Sequence, residues 1–165
     1  MKDALMKLVG FRRWINLYPP LRGAGIRVTH VAKDFRTIDV ELRLTALNRN
    51  YVGTQFGGGL FAMTDPFYMI LLKQALGPGY VVWDKAASIR FRRPGLTNVH
   101  ARFHLTDARL AEIRATLERD GTHDAVFQVD ILDPAGEVVS KVERTIYCAT
   151  KEAHAARTAA RSTQA

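Results

Sequence analysis

Two short stretches of the sequence carry residue types that could do chemistry. The first contains Asp65, which has Met63 before it and Phe67 after it in a strongly apolar segment. A carboxylate in such surroundings is costly to bury unless a partner neutralises it, and it is a candidate general base or nucleophile. A structural interpretation is also open, because an Asp followed by Pro, here Pro66, is typical of a helix N-cap. The two interpretations are compatible.

The second stretch runs from Asn50 to Gly59 and ends in three consecutive glycines. Glycines let a ligand approach the backbone closely, and the first N–H groups of a helix have no partner within it. Such N–H groups suit an anion or a developing oxyanion. The alternative is that the glycines only allow a helix to pack tightly on a sheet. No Gly-Lys-Ser/Thr follows, so the stretch is not a P-loop.

The spacing of these two groups limits how they could act together. Gly57 and Asp65 are eight residues apart, which corresponds to about 12 Å along a continuous helix. One carbonyl group therefore cannot lie within about 3 Å of both in the same chain. If both act on one substrate, Asp65 must come from a second copy of the chain. A catalytic interpretation thus predicts a homodimer with its sites at the interface.

The elements that position these groups follow from the periodicity of apolar residues. Nearly continuous apolar character over residues 57–76 predicts one long helix enclosed by protein. An amphipathic helix is predicted over residues 3–17, and residues 108–120 fit either a helix or an extended segment. Alternation predicts strands at residues 26–31, 37–45, 80–91, 99–106, 125–132 and 137–149. One apolar helix with long, mostly antiparallel strands predicts an α+β architecture, with the sheet curled around the helix.

Length and composition set the broad class of the protein. The chain has 165 residues, 47% of them hydrophobic and 24% charged, which is typical of one globular domain. Its one cysteine, Cys148, excludes an internal disulfide framework and a multi-cysteine zinc site. The longest apolar run, Phe67 to Leu72, is too short to span a bilayer, and the N-terminus does not resemble a secretory signal peptide. The expectation is a soluble cytoplasmic protein.

Positive charge is concentrated in one block. The formal net charge is +8, and no acidic residue lies between Lys85 and Arg102. Such a block could attract a polyanion, or it could be a solvated strand edge that discourages pairing. Strict alternation in the strand over residues 80–91 places Asp84, Ser88, Arg90 and Arg92 on one face. Lys85 then lies on the other, mostly apolar face, where a structural ion pair is favoured and Asp65 is a candidate partner.

Other reactive residue types do not form a convincing site. His100 and His104 have the spacing of a helical metal-binding pair, but their segment looks extended, which separates them by about 13 Å. Ser88 has no nucleophile-elbow motif around it. Cys148 has strand-like neighbours and is expected to be a core thiol. No metal site is predicted.

The residues around both stretches resemble a known superfamily. The segment Asn50-x-x-Gly53-x-x-Phe56-Gly57-Gly58, followed by Asp65, resembles the Asn-x-x-Gly-x-x-His-Gly-Gly…Asp signature of phenylacetic-acid-degradation-type acyl-CoA thioesterases of the hotdog fold. The segments Gly-Thr-Gln-Phe-Gly-Gly, Met-Thr-Asp-Pro-Phe-Tyr and Val-Trp-Asp-Lys-Ala-Ala are more similar still to an uncharacterised hotdog subfamily described as a domain of unknown function. The resemblance covers most of residues 20–150. It implies a long central helix wrapped by a curved antiparallel sheet.

The resemblance implies a set of roles, and together with periodicity and composition it divides the chain. Residues 1–20 would be an N-terminal helix and lead-in, residues 21–150 the hotdog domain, and residues 151–165 a flexible basic tail. Asn50 would contact the thioester carbonyl, the Gly57 N–H would form the oxyanion hole, and Asp65 of the second subunit would activate water or attack directly. The implied substrate-binding residues are Gln55, Phe56, Gly58, Phe61, Asp84, Arg90, Arg92 and Arg93, of which the three arginines could meet the phosphates of coenzyme A.

One departure from the signature bears on activity. Phe56 stands where the motif has histidine, and a phenyl ring cannot donate a hydrogen bond to a carbonyl group. Either Gln55 or Asn50 takes over that role, or hydrolysis is lost. The aromatic side chains Phe56, Phe61, Phe67 and Tyr68 suggest an acyl pocket.

The preferred hypothesis is a homodimer, or a tetramer built from such dimers, that hydrolyses acyl-CoA or a related thioester. Coenzyme A then enters only as part of the substrate, and no cofactor is predicted. The alternative is a non-catalytic protein of the same fold that binds acyl-thioesters or lipids. Nucleic-acid binding is favoured only by the net charge, with no stacking motif to support it, and a hotdog dehydratase would need a histidine-plus-acid pair that has no match here.

Overall fold

The computed structural model describes residues 10–162. Its strands are β1 (Ile26–Val31), β2 (Thr37–Leu42), β3 (Tyr80–Phe91), β4 (Val99–His104), β5 (Thr122–Leu132) and β6 (Val138–Thr150). Its helices are α1 (Phe11–Ile15), α2 (Pro19–Gly23), α3 (Gly57–Ala62), α4 (Phe67–Leu76), α5 (Asp107–Asp120) and α6 (Lys151–Ser162). The strands form one curved antiparallel sheet in the order β1-β2-β4-β5-β6-β3. Strand β3 therefore lies at one edge.

Alternation of apolar residues fixes the inner face of the sheet. Ile38, Val40 and Leu42 of β2 are buried, and Ile38 lies opposite Phe103 of β4 in the antiparallel register. The residues between them point to the outer face, as expected for a strand with one face on the core. The register follows from this pattern, because a shift of one residue would expose every core side chain.

The core forms where α4 packs on that inner face. The ring of Phe67 lies 5.0 Å from that of Phe103, and Tyr68 stacks on Phe127 of β5 at 4.2 Å between centroids. Burying a side chain of this size contributes about 1.5–3 kcal/mol. The sheet thus curves around the central helical segment, and the predicted α+β hotdog architecture is confirmed.

The central helical segment differs from the expected single helix. Helix α3 ends at Ala62 and α4 begins at Phe67. The chain makes a tight turn between them, because the N–H and the hydroxyl of Thr64 both donate to the Phe61 carbonyl. Pro66 then offers no N–H to continue a helix. The N-cap of α4 is Pro66, with no side-chain cap, so the prediction that Asp65 caps the second half is wrong. The break turns Asp65 outward.

Three segments at the periphery bear on the remaining predictions of secondary structure. Residues 108–120, left open above, are helical in α5 because Thr106 caps the first turn and Gly121 ends the helix in a left-handed conformation. Residues 151–162, expected to belong to a flexible tail, form helix α6 on the outer side of β6. The predicted helix over residues 3–17 is observed only as the short α1, and residues 3–9 lie outside the described part of the chain.

A β-bulge in β3 overturns the predicted grouping of side chains on that strand. Asp84 lies opposite Ile146 and Ala86 opposite Thr145, so Lys85 is an extra residue. One inserted residue inverts the alternation beyond it. Asp84 therefore shares the inner face with Ala87 and Phe91, while Ser88, Arg90 and Arg92 belong to the outer face. Among residues 10–162, no helix is long and apolar enough to cross a membrane.

Candidate active site

Helix α3 begins with three backbone N–H groups that have no hydrogen-bond partner among the described residues. Its N-cap is Phe56, in an extended conformation without a side-chain cap, and the first intrahelical bond runs from the Leu60 N–H to the Phe56 carbonyl at 3.0 Å. The N–H groups of Gly57, Gly58 and Gly59 precede that bond. They are available donors at the point where the sequence predicted an oxyanion hole.

Gly57 opens onto a cleft of about 440 Å³. The cleft lies between the loop over residues 50–55, the start of α3, and the chain that follows β3. Its lining combines apolar side chains with cations, namely Val52, Leu60, Phe91 and Pro94 beside Arg92 and Arg93. A ligand with an apolar part and an anionic part fits this composition.

Two aromatic rings flank the glycines. A Cβ atom on Gly57 would lie 3.1 Å from Cζ of Phe91, and one on Gly58 would overlap the ring of Phe56. Both rings are more than half exposed, at 57% and 56%. The predicted site residues Phe56, Gly57 and Gly58 are thus brought together, and Phe91 is an additional member that the sequence did not single out.

Asn50 and Gln55 use their amide donors inside the protein. The Asn50 side chain donates to the Thr54 hydroxyl at 2.8 Å and accepts from the Thr54 N–H at 2.9 Å, which closes the loop. Gln55 is buried, and its Nε2 donates to the carbonyls of Leu42 and Thr97. Gln55 therefore has no donor left to replace the motif histidine, which corrects that suggestion. Asn50 borders the cleft, but it would have to exchange loop bonds to contact a carbonyl group.

Asp65 and Asp84 meet at a shared guanidinium that the sequence did not reveal. Arg144 of β6 has a side chain only 3% exposed. Its Nε and Nη2 donate to Oδ1 of Asp84 at 3.1 and 2.5 Å, and its Nη2 also donates to Oδ2 of Asp65 at 2.9 Å. The guanidinium carbon lies 5.6 Å from the centre of the Phe61 ring, a cation–π distance. We call Asp65, Arg144 and Asp84 the Arg144 triad.

Burial has the largest influence on the pKa of the Asp84 carboxyl. Its partly buried position raises the pKa of the Asp84 carboxyl above its ordinary value, and the hydrogen bonds and positive charge of Arg144 offset this only in part. The nearby negative charge of Asp65 adds to the increase. The two carboxyl groups are therefore electrostatically coupled.

Asp65 itself is neither buried nor alone, contrary to the expectation from its apolar neighbours in sequence. Its side chain is 54% exposed and is ion-paired with Arg144. The suggested partner Lys85 instead pairs with Asp124, on the outer face of the sheet. Asp65 is thus an accessible carboxylate held by a buried cation.

The three arginines proposed for phosphate binding have different surroundings. Arg93 is ion-paired with Glu137 and donates to the Val138 carbonyl at 3.1 Å. Arg90 and Arg92 take part in no ion pair among the described residues. Both line a cleft of about 260 Å³ on the outer face, and Arg92 also borders the cleft at Gly57. The two clefts thus meet at Arg92.

Other candidates from the sequence are part of the core. Phe67 and Tyr68 are buried against Phe103 and Phe127, so in this chain they form no open acyl pocket. Burial raises the pKa of the Cys148 thiol to about 12, which keeps it protonated near neutral pH. Within the described residues, no group of three or more His, Cys, Asp or Glu side chains could hold a metal ion.

Comparison of the sequence with protein families decides where the chain belongs. A family described as a domain of unknown function, DUF4442, matches residues 10–148. The chain belongs to the DUF4442 family. The match covers α1 through most of β6 and therefore includes the α3 start and the whole Arg144 triad. No curated protein matches the sequence of this DUF4442 protein.

Solved structures share the fold of the DUF4442 protein at low sequence identity. A Pseudomonas aeruginosa protein of unknown function, described as a probable thioesterase, has a TM-score of 0.74 and 17% identity over 84% of this chain and 93% of that one. A Haemophilus influenzae thioesterase has a TM-score of 0.63 and 14% identity over 85% and 88%. A mutant form of the phenylacetic acid degradation protein PaaI from Thermus thermophilus has a TM-score of 0.55 and 21% identity over 78% and 97%.

Proposed function

We propose that this protein is a homodimeric thioesterase that hydrolyses acyl-CoA or a related acyl-thioester. The observation that carries the proposal is the separation of two complementary groups along one edge strand. Gly57 lies beside Phe91, near the end of β3, and the Arg144 triad lies at Asp84, seven residues earlier. Because Lys85 is the extra residue of the bulge, β6 covers the same interval from Ile146 to Ser140, which is six residues or roughly 20 Å. One chain therefore cannot apply both groups to the same carbonyl.

A two-fold pairing of β3 with the same strand of a second copy removes this separation. In an antiparallel pair centred on Ser88, and with Lys85 as the extra residue of the bulge, Asp84 lies opposite the partner's Phe91. The Asp65 carboxylate then approaches the partner's Gly57, and symmetry gives two such sites per dimer. The centre of β3 suits this arrangement, because Ala86, Ala87 and Ser88 are small, exposed and at the edge of the sheet. The unpaired edge would gain hydrogen bonds along its length.

In this site, hydrolysis requires a base or nucleophile from one chain and hydrogen-bond donors to the oxyanion from the other. The Asp65 carboxylate removes a proton from water as the water oxygen attacks the thioester carbon, or it attacks that carbon directly. The carbonyl oxygen gains negative charge and accepts hydrogen bonds from the Gly57 N–H and its neighbours in the partner. The carbon–sulfur bond breaks, and the departing thiolate takes up a proton. If Asp65 attacks directly, the resulting anhydride is then cleaved by water, which releases the carboxylic acid and restores the Asp65 carboxylate.

Arg90 and Arg92, which we call the cationic rim, support a substrate that carries phosphates. Arg90 and Arg92 have no acidic partner among the described residues, and Arg92 connects the cleft at Gly57 with the cleft on the outer face. A pantetheine arm that leaves the Gly57 cleft past Arg92 would bring the phosphates of coenzyme A to both arginines. The descriptions of the Pseudomonas structure as a probable thioesterase and of the Haemophilus structure as a thioesterase support a thioester substrate.

The test is hydrolysis of a panel of acyl-CoAs by the wild type and by Asp65→Asn. Loss of a general base typically lowers the rate by 10²–10⁴-fold, so we expect kcat to fall by about that factor. The matched control is Asp39→Asn, which alters an exposed ion pair with Arg102 and should leave the rate unchanged. Equal rates for the wild type and Asp65→Asn would remove Asp65 from the mechanism.

A second candidate function follows from Phe56, which replaces the histidine of the related signature. The protein would then bind acyl-thioesters or lipids without turnover. The same panel separates the two functions, because calorimetric binding of acyl-CoA with no release of free thiol would favour the binding protein. Turnover that depends on Asp65 would favour the enzyme.

A further inference from the structure

Arg144 is a buried cation whose counter-charges come from other elements. Its cross-strand neighbours on the inner face, Ala87 of β3 and Phe127 of β5, carry no charge. Tyr68 of α4 stacks on Phe127, and its hydroxyl donates to the Gln128 carbonyl. Asp65 and Asp84 therefore supply the negative charge that Arg144 needs.

The charged residues that neighbour the Arg144 triad in sequence lie on the outer face of the sheet. Lys85 pairs with Asp124 there, and Glu143 lines the outer cleft with Arg90. Asp65 and Asp84 form no other ion pair among the described residues. The ionised triad thus contains two carboxylates and one guanidinium, and it carries one net negative charge.

The geometry of the hydrogen bonds fixes both carboxyl groups. Arg144 contacts Oδ1 of Asp84 and Oδ2 of Asp65 through one rigid, planar group, and its guanidinium carbon lies 5.6 Å from the centre of the Phe61 ring. Oδ1 of Asp65 and Oδ2 of Asp84 have no hydrogen-bond partner among the described residues. Each acid therefore keeps one free oxygen while the other is anchored.

We propose that Arg144 is a positioning residue, which cross-links Asp65 to Asp84 so that Asp65 presents its free oxygen to water or to the thioester. The role in turnover rests on the proposed function, because only a hydrolase needs this oxygen as base or nucleophile. The electrostatic coupling does not rest on it. Without the guanidinium, the two carboxylates repel each other, and the pair retains a proton to higher pH.

The experiment compares pH–rate profiles of the wild type, Arg144→Lys, Arg144→Met and the double variant Asp84→Asn/Arg144→Met. We expect Arg144→Met to lower kcat at least tenfold near neutral pH and to move the acid limb upward by about one pH unit. Arg144→Lys keeps the positive charge but lacks the planar guanidinium that contacts both carboxyl groups. Its kcat and its acid limb should therefore lie between those of the wild type and of Arg144→Met. Asp84→Asn in the Arg144→Met background removes the repulsion and should return the acid limb toward the wild-type position.

Two further measurements separate this role from a merely structural one. Denaturant midpoints show which variants are folded, and Arg102→Met serves as the control because it alters an exposed arginine–aspartate pair. Carbon-13 NMR titration of the aspartate carboxyl groups needs no activity. We expect the titration midpoint of the Asp84 carboxyl to rise in Arg144→Met and in Arg144→Lys, because Arg144 lowers its pKa in the wild type.

A rate that drops equally at every pH, with unchanged carboxyl titrations, would overturn the positioning role. So would an Arg144→Met profile that is indistinguishable from the wild type. If the wild type hydrolyses no acyl-CoA, the proposed function fails and with it the role in turnover. The NMR titrations then still decide whether Arg144 couples the two carboxylates.

Discussion

Phe91, at the end of the edge strand, lies directly against Gly57, at the start of α3, so that a methyl group on Gly57 would come within 3.1 Å of the ring. This contact ties the free N–H groups to one end of β3. Arg144 ties Asp65 to Asp84, nearer the other end of the same strand. The two halves of the proposed site therefore lie near opposite ends of β3 within each chain, and in the proposed function a second copy brings them together.

Replacement of Gly57 by proline should remove the oxyanion donor while the helix is kept. Gly57 is the first residue of α3, where proline is well tolerated, and Phe56 before it already has the extended conformation that a proline requires. Loss of one oxyanion donor lowers kcat by about 10²–10³-fold. Steady-state hydrolysis of acyl-CoA measures this effect.

Gly57→Ala is the matched control, because it adds the same Cβ beside Phe91 but keeps the N–H. We expect it to retain most of the activity, since the exposed Phe91 ring can move aside. Gly59→Ala is a second control, because its Cβ would meet Leu42 Cδ2 at an ordinary 3.5 Å, and alanine should stabilise the helix by about 0.5–1 kcal/mol. Equal loss of activity in Gly57→Pro and Gly57→Ala would mean that bulk at this position matters and the N–H does not.

Removal of the cationic rim should affect only substrates that carry phosphates. Arg90→Gln/Arg92→Gln is expected to raise KM for acyl-CoA about tenfold or more, because a charge-assisted hydrogen bond to phosphate contributes about 1.5–3 kcal/mol. For the acyl thioester of N-acetylcysteamine, which has no phosphate, KM should not change. Arg102→Gln, an exposed arginine outside both clefts, is the control. A similar rise in KM for both substrates would rule out phosphate recognition by these arginines.

The raised pKa of Asp84 makes a prediction about stability and pH. The folded protein holds the Asp84 proton more tightly than the unfolded chain does, so protonation of this group favours folding. Its contribution is fully present below the unfolded pKa of about 3.9 and is lost as the pH rises through the higher folded pKa. The stability of the wild type relative to Asp84→Asn should therefore increase as the pH is lowered from 7 toward 4.5. Denaturant unfolding at the two pH values gives this difference, and a decrease on acidification would contradict the assignment.

The sequence correctly predicted features that depend only on residues within one segment of the chain. Alternation in β2 and the turns around β1 and β3 predicted those strands, and the bounds of β1 and β3 were matched in full. The glycines at the start of α3 were likewise predicted to leave free N–H groups. These features depend on local periodicity and on the chemistry of glycine.

Features that depend on contacts between distant segments could not be predicted in this way. Arg144 is one of 24 basic residues, and only the register of β6 against β3 and β5 brings it to the inner face beside two acids. The bulge at Lys85 inverts the alternation of β3, and no single-strand pattern signals it. The outward turn of Asp65 results from the break between α3 and α4, which an apolar run conceals.

The most direct test of a site shared by two chains is complementation between inactive variants. Asp65→Asn and Gly57→Pro each inactivate both sites of their own homodimer. A mixed dimer, in contrast, retains one site with an intact Asp65 carboxylate and an intact Gly57 N–H. After unfolding and refolding as an equal mixture, we expect about a quarter of the wild-type rate, because half of the dimers are mixed and each has one of two sites complete. A mixture no more active than its two components would contradict a site built from two chains.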